Sequence, residues 1–199
     1  MRLFVALDIE NEIREHISSF MHEMAPLAPN VRWVNSESLH VTLKFIGEQP
    51  EQRVKEIESA LARVPESFFQ IAFRGTGFFP TPRSARVFWI GIESGPELAQ
   101  LAGAVDAALL RLGIEKEKRA FSAHLTLARA KGGSGTPSKQ KSDRRNRDFE
   151  AVQTTLAAMP DPHFGTMTAR EFFLYRSQWS RQGSRYLKIA QFPLTAGES

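Results

Sequence analysis

A chain of 199 residues, 42% of them apolar, is long enough to bury a core as a single domain or as two small lobes. It has no cysteine, which excludes disulfides, thiolate metal sites and thiol nucleophiles and suits a reducing, cytoplasmic setting. The net charge of +4 favours an anionic partner, and no apolar run approaches the roughly 18 residues of a membrane span, so no membrane partner is expected.

Residues 2 to 8 read as a strand, because Asp8 and Glu10 cut the apolar start too short for a secretory leader. Ile13, Ile17, Phe20, Met21 and Met24 recur at helical spacing, which predicts a helix from Glu10 to Met24 that ends before Pro26 and Pro29. His16 and His22 fall on the flank of that helix as solvated side chains. Val31 to Val34 reads as a short strand, and Leu39 to Ile46 as a longer one closed by Gly47. A second helix is expected from Glu51 to Val64 with Val54, Ile57 and Leu61 turned inward. Phe68 to Phe79 returns as a strand bent or bulged at Gly75 and Gly77, and Arg86 to Ile92 follows a proline-rich turn. The third helix, Glu97 to Leu112, stops at Gly113, and Lys118 to Arg129 is the next strand. Between 131 and 148 lie six basic and two acidic residues with almost nothing apolar, so a mobile basic loop is expected there. Phe149, Val152, Leu156 and Met159 mark a fourth helix, and Arg170 to Arg176 pairs with Arg185 to Phe192 around a turn at Gly183.

Two of these strands share a short grammar, His40-Val41-Thr42-Leu43 and His124-Leu125-Thr126-Leu127. Side chains alternate faces along a strand, so His40 and Thr42 share one face while Val41, Leu43 and Phe45 take the other, and the second copy repeats the pattern. An imidazole and a hydroxyl two residues apart stand roughly 7 Å from each other, enough to reach different oxygens of one phosphate. One HxT triplet is a weak signal. Two in the same phase, 84 residues apart in halves of similar element order, predict an α+β protein. Its two similar lobes would each be an antiparallel sheet backed by helices, related by a pseudo-twofold with the motif strands facing a central cleft. A histidine pair supplies a base and an acid near neutral pH, which suits phosphoester cleavage without a metal or other cofactor. Neither an HExxH zinc motif nor a Walker phosphate loop is present. Lys44 shares His40's phase and is expected at the cleft or its rim. Strict alternation points Arg129 away from His124 unless the strand ends or bulges near Ala128; otherwise it forms a surface ion pair. Phe45, Trp33, Phe121, Trp89 and Tyr186 are expected to pack in the core.

These motifs, together with Met1 to Asp8, Val31-Arg32-Trp33-Val34, Lys44 to Glu48, Phe79 to Arg83, Phe121 to Arg129 and Gly183 to Leu194, resemble the 2H phosphoesterase superfamily, specifically its RNA 2′,3′-cyclic phosphodiesterase or 2′-5′ RNA ligase family. The resemblance implies a single two-lobed domain over residues 1 to 199 that opens the 2′,3′-cyclic phosphate end of RNA to a 2′-phosphate. It implies that His40 is the proton donor and His124 the proton acceptor, and that Thr42 and Thr126 bind the phosphate, with Arg129 at a family arginine position. No cofactor and no metal are implied, and a monomer is expected. Ala123 stands where the family often has proline, and Trp179 where a smaller aliphatic residue is expected. Reversible 2′-5′ ligation, hydrolysis of a small cyclic nucleotide and a non-catalytic RNA-binding module are the alternative readings.

Overall fold

A computed structural model describes residues 1–64, 67–116, 118, 120–131, 146–180 and 183–195. In chain order the elements are β1 (Arg2–Leu7), α1 (Asn11–Met24), β2 (Val31–Trp33), β3 (Val41–Glu48), α2 (Val54–Leu61), β4 (Phe69–Phe79), β5 (Val87–Ser94), α3 (Glu97–Leu110), β6 (His124–Ala130), α4 (Glu150–Ala157), β7 (His163–Ala169), β8 (Glu171–Ser180) and β9 (Gly183–Pro193). They form two antiparallel sheets, one ordered β3-β1-β8-β9 and the other β2-β6-β5-β4-β7. Leaving out β2, each sheet begins with a motif strand, and the strand beside it is the one that leads through a helix into that motif: β1 through α1 into β3, β5 through α3 into β6. The expected two-lobed α+β arrangement is therefore present, but the lobes are not the two halves of the chain. β2 and β4, from the first half, belong to the second sheet, and β8 and β9 return from the C-terminal end to complete the first.

The apolar faces of α1, α2 and α3 supply Ile13, Ile17, Phe20, Ile57, Leu61, Leu98, Leu101, Val105 and Leu109 to one continuous core with Leu3, Val5, Leu7, Phe73, Phe88 and Ile90 of the strands. Burying side chains of this size favours the fold by about 1.5–3 kcal/mol each before chain entropy is counted. β7 is a strand the sequence pattern did not suggest. Gly165 interrupts it at φ 130°, and a side chain there would press within 3.0 Å of Ile13 on α1, so the glycine lets helix and sheet close together. The bend expected in β4 is a register shift between Phe73 and Thr76, with Gly75 at φ 68°. His16 and His22 are spoken for on α1, their Nδ1 atoms at 2.9 Å from the Phe164 carbonyl and 2.7 Å from the Ser18 carbonyl. Of the basic loop expected over 131–148, residues 132–145 lie outside the described residues, as do residues 181 and 182 of the final turn.

One expectation is overturned in the interior. Lys44 does not line the cleft: it is 4% exposed, and its ammonium lies 2.6 Å from Asp106 on α3 while donating to the Glu115 carbonyl at 2.6 Å. The cause is a bulge in β3, where Val5 faces Lys44 but Ala6 faces Thr42, so Leu43 is an extra residue and both Leu43 and Lys44 point inward. Removing the ammonium that faces a buried carboxylate should cost about 3–5 kcal/mol in Lys44→Met, whereas the paired change Lys44→Met with Asp106→Leu should recover most of it. Urea denaturation of both variants measures the difference; equal losses would mean the ion pair is not what the site depends on.

Candidate active site

His40 is not inside the strand, as its pattern suggests, but is the residue leading into β3, whereas His124 opens β6. Both rings are held in the same way. His40 Nδ1 is 2.7 Å from the carbonyl of Ser38, and His124 Nδ1 is 2.8 Å from the carbonyl of Ser122, in each case the residue two positions upstream. A carbonyl only accepts, so Nδ1 must carry the hydrogen in the neutral rings, and Nε2 is left with its lone pair for chemistry. This recurrence was legible as Ser38-Leu39-His40 beside Ser122-Ala123-His124, a third shared position ahead of each triplet.

Aromatic side chains pack each imidazole. Around His40 are Phe4 at 4.8 Å and Tyr186, edge-on at 5.1 Å, with Tyr175 at 6.1 Å. Phe79 lies edge-on to His124 at 5.0 Å, with Trp89 at 6.3 Å. Phe4, Phe173, Tyr175 and Tyr186 form a second apolar cluster separate from the main core, so Tyr186 belongs to the His40 wall and not, as expected, to the interior. Burial pushes the Tyr175 hydroxyl's pKa up, which keeps it neutral.

The same irregularity occurs in both motif strands. In β6, Trp89 faces Thr126 while Phe88 faces Ala128, so Leu127 is the extra residue and Leu127 and Ala128 are both fully buried. One extra residue reverses the alternation that follows it. The fifth residue after each histidine thereby returns to the histidine's face: Arg129 in β6 and Phe45 in β3. The condition on which Arg129 depended, a bulge near Ala128, is met. Phe45, expected on the inner face with Val41 and Leu43, is instead 58% exposed, with its ring 6.2 Å from Phe4.

Arg129 is the electrostatic link between the two sheets. β3 and β6 approach without pairing, and the Arg129 guanidinium acts on both imidazoles. Although the residue keeps solvent-exposed surface, crowding desolvates the guanidinium and lowers its pKa, an effect opposed by Tyr186 of the other sheet. It stays charged. Loss of hydration lowers His40 from 6.5 to about 4, against the Ser38 hydrogen bond and the Asp8 carboxylate, which raise it; Arg129 and Arg14 add to the lowering. His124 is lowered as well, first by burial and then by Arg129, against its bond to Ser122. Thr42 and Thr126, half-buried in the same strands, have hydroxyls that no hydrogen bond to a described residue occupies. The site thus holds two imidazoles of fixed tautomer, two hydroxyls in equivalent strand positions, and a cation, a set able to grip a phosphate diester and exchange protons with it.

A LigT-like phosphoesterase family model matches residues 7–89. An RNA 2′,3′-cyclic phosphodiesterase of Archaeoglobus fulgidus is 36% identical over 96% of this chain and 99% of its own, and one of Methanothermobacter thermautotrophicus is 30% identical over 98% and 99%. The crystal structure of Escherichia coli LigT in apo form superposes with a TM-score of 0.74 at 28% identity, covering 98% of this chain and 97% of that one. Fold and relatives together define the class, a two-sheet phosphoesterase. The chain belongs to the LigT-like phosphoesterase family.

Proposed function

We propose that the protein hydrolyses RNA 2′,3′-cyclic phosphate ends to 2′-phosphomonoesters by acid–base catalysis from His40 and His124. The observation that carries this reading is the duplicated lock, Nδ1 of each imidazole on the carbonyl two residues before it, which presents two equivalent Nε2 atoms with Arg129 acting on both. Relatives named RNA 2′,3′-cyclic phosphodiesterase over nearly their whole length, and an E. coli LigT solved with 3′-AMP, support the substrate class. Water attacks phosphorus from the His124 side and its proton passes to His124 Nε2; the bond from phosphorus to O3′ breaks as His40 Nε2–H protonates that oxygen, leaving the phosphate on O2′. Thr42 and Thr126 donate to the non-bridging oxygens, and Arg129 offsets the charge that grows on them. The acid role is given to His40, as the resemblance implies for the first motif; Asp8 raises its proton affinity against the larger lowering by burial.

Incubating the protein with an oligonucleotide ending in a 2′,3′-cyclic phosphate should yield the 2′-phosphomonoester, at the same rate after EDTA treatment. A 3′-phosphate product would reverse the acid and base sides, and loss of turnover with EDTA would remove the metal-free scheme.

We assign stacking on the terminal base to Phe45, whose exposed ring lies 6.2 Å from Phe4, the ring that packs on His40. Stacking is worth about 1–3 kcal/mol per base, so Phe45→Ala should raise KM by about tenfold with little change in kcat, while Phe45→Tyr should not. An unchanged KM for the alanine variant would assign the base to another surface.

A further inference from the structure

The guanidinium of Arg14, on α1, is the hub of the segment that leads into β3. Its Nη2 donates to Asp8 Oδ1 at 2.7 Å and to the Ile9 carbonyl at 3.3 Å, and its Nη1 to the carbonyls of Ser36 at 2.6 Å and Leu39 at 3.4 Å. The side chain is 13% exposed. The Leu39 carbonyl belongs to the peptide unit that joins His40 to the chain, and between the two clamped carbonyls lies Ser38, whose own carbonyl receives His40 Nδ1. The turn is also held by Glu37 N–H on Asn35 Oδ1 at 3.0 Å, Ser38 N–H on the Asn35 carbonyl at 2.8 Å and Leu39 N–H on the Ser36 carbonyl at 3.2 Å. Asp8, just beyond β1, accepts from the Ile9 N–H at 2.9 Å and also pairs with Lys188 of β9.

We propose that Arg14 and Asp8 are positioning residues for His40: Arg14 fixes the turn whose carbonyl sets the tautomer of the ring, and Asp8 fixes the Arg14 fork that does so. The proposal rests on the two-histidine reading above. Its physical basis is that a planar fork with several donors can hold three carbonyls and a carboxylate at once, which a lysine ammonium cannot do in the same geometry. An orienting partner of this kind acts through the group it holds, and a shift of about 1 Å in a catalytic group can cost about 100-fold in rate. The charged groups that act on His40 are Asp8, Arg14 and Arg129, and the neighbouring rings of Tyr175 and Tyr186 are the other ionisable groups against it.

The test compares wild type with Arg14→Met, Arg14→Lys and Asp8→Asn in the full chain. Imidazole nitrogen NMR reads the tautomer of each histidine without reference to turnover, and steady-state kinetics on the cyclic-ended oligonucleotide is followed across pH. In Arg14→Met, His40 should become a mixture of Nδ1–H and Nε2–H forms with His124 unchanged, and kcat should fall about 10- to 100-fold with KM within about twofold. Arg14→Lys should restore part of that loss. Asp8→Asn, which keeps the side-chain shape, should move the His40 limb of the kcat profile to lower pH. Wild-type tautomer and kcat in Arg14→Met would overturn the assignment, as would equal disturbance of both histidines, which marks general loosening. Were Arg14→Met not to fold, Asp8→Asn decides by the same spectrum and pH limb. A wild-type protein inactive on this RNA would sink the functional reading alone, because the tautomer change would still decide the positioning role.

Discussion

Alanine at His124 should lower kcat for opening a 2′,3′-cyclic-ended oligonucleotide by about 10²- to 10⁴-fold, and alanine at His40 by a comparable factor, because each removes one positioned proton transfer. The two losses should not multiply in the double variant, since an acid without its base, or the reverse, leaves the other partner with little to do. Binding of the same RNA should survive both changes, because the proposed scheme gives the hold on the phosphate to Thr42, Thr126 and Arg129 and not to the imidazoles. Turnover within threefold of wild type in either variant would take that histidine out of the chemistry, and RNA binding without turnover in wild type would leave a binding module as the better reading. The pH dependence carries a sign. Burial lowers His40 to about 4 and His124 below its ordinary value, so at pH 7 the free protein has both rings neutral, while the reaction needs one proton between them. kcat/KM, which reports free enzyme, should therefore have both limbs below about 6.5 and decline above it, with apparent values belonging to the pair. An anionic phosphate favours the protonated imidazole, so the corresponding limb of kcat should lie at higher pH. The same lowering makes the unfolded chain the better proton acceptor between about 4 and 6.5, and the part of stability due to neutral His40 is present above that window and lost as pH falls through it.

Arg129→Met should lower kcat by about 10²- to 10³-fold, the scale of one donor or charge aimed at the developing phosphorane oxygens, while leaving the melting temperature close to wild type because the residue is exposed. Arg129→Lys should recover only part, since an ammonium keeps the charge but loses the planar fork. The loss should appear in kcat more than in KM if the guanidinium grips the transition state better than the ground state. It should also move both histidines: without the nearby cation, which lowers each, their proton affinities rise and the kcat/KM limbs shift upward together. A variant with unchanged kcat and unmoved limbs would place Arg129 outside the chemistry.

The sequence made the elements and the imidazoles legible because both follow short-range rules. Helical spacing located α1 to α4, and strand phase put His40 beside Thr42 and His124 beside Thr126. What it misread depends on a single inserted residue. Simple alternation sends Lys44 to the cleft and Phe45 to the core, and the structure has them reversed, because the choice to bulge at Leu43 is made by the partner strand and by Asp106, which lies 62 positions after Lys44 and is brought near it only by folding. Arg129 depends on the same device at Leu127, where the sequence allowed either outcome. Strand β7 was missed because Gly165 and two threonines dilute its alternation, and its place is set by Ile13 and by pairing with β4. The Arg14 clamp left no periodic trace, since a guanidinium bound to carbonyls is indifferent to which residues own them.

The interleaving of the sheets has a temporal consequence. β1 needs β8 on one side before the His40 sheet is whole, and β8 and β9 follow every strand of the other sheet along the chain. During synthesis the first two strands of that sheet wait with one long edge unpaired, whereas every strand of the His124 sheet is already available once residue 169 has emerged. Assembly in the order of synthesis therefore favours the second sheet as the template, with the first imidazole brought to its partner only by the closing hairpin.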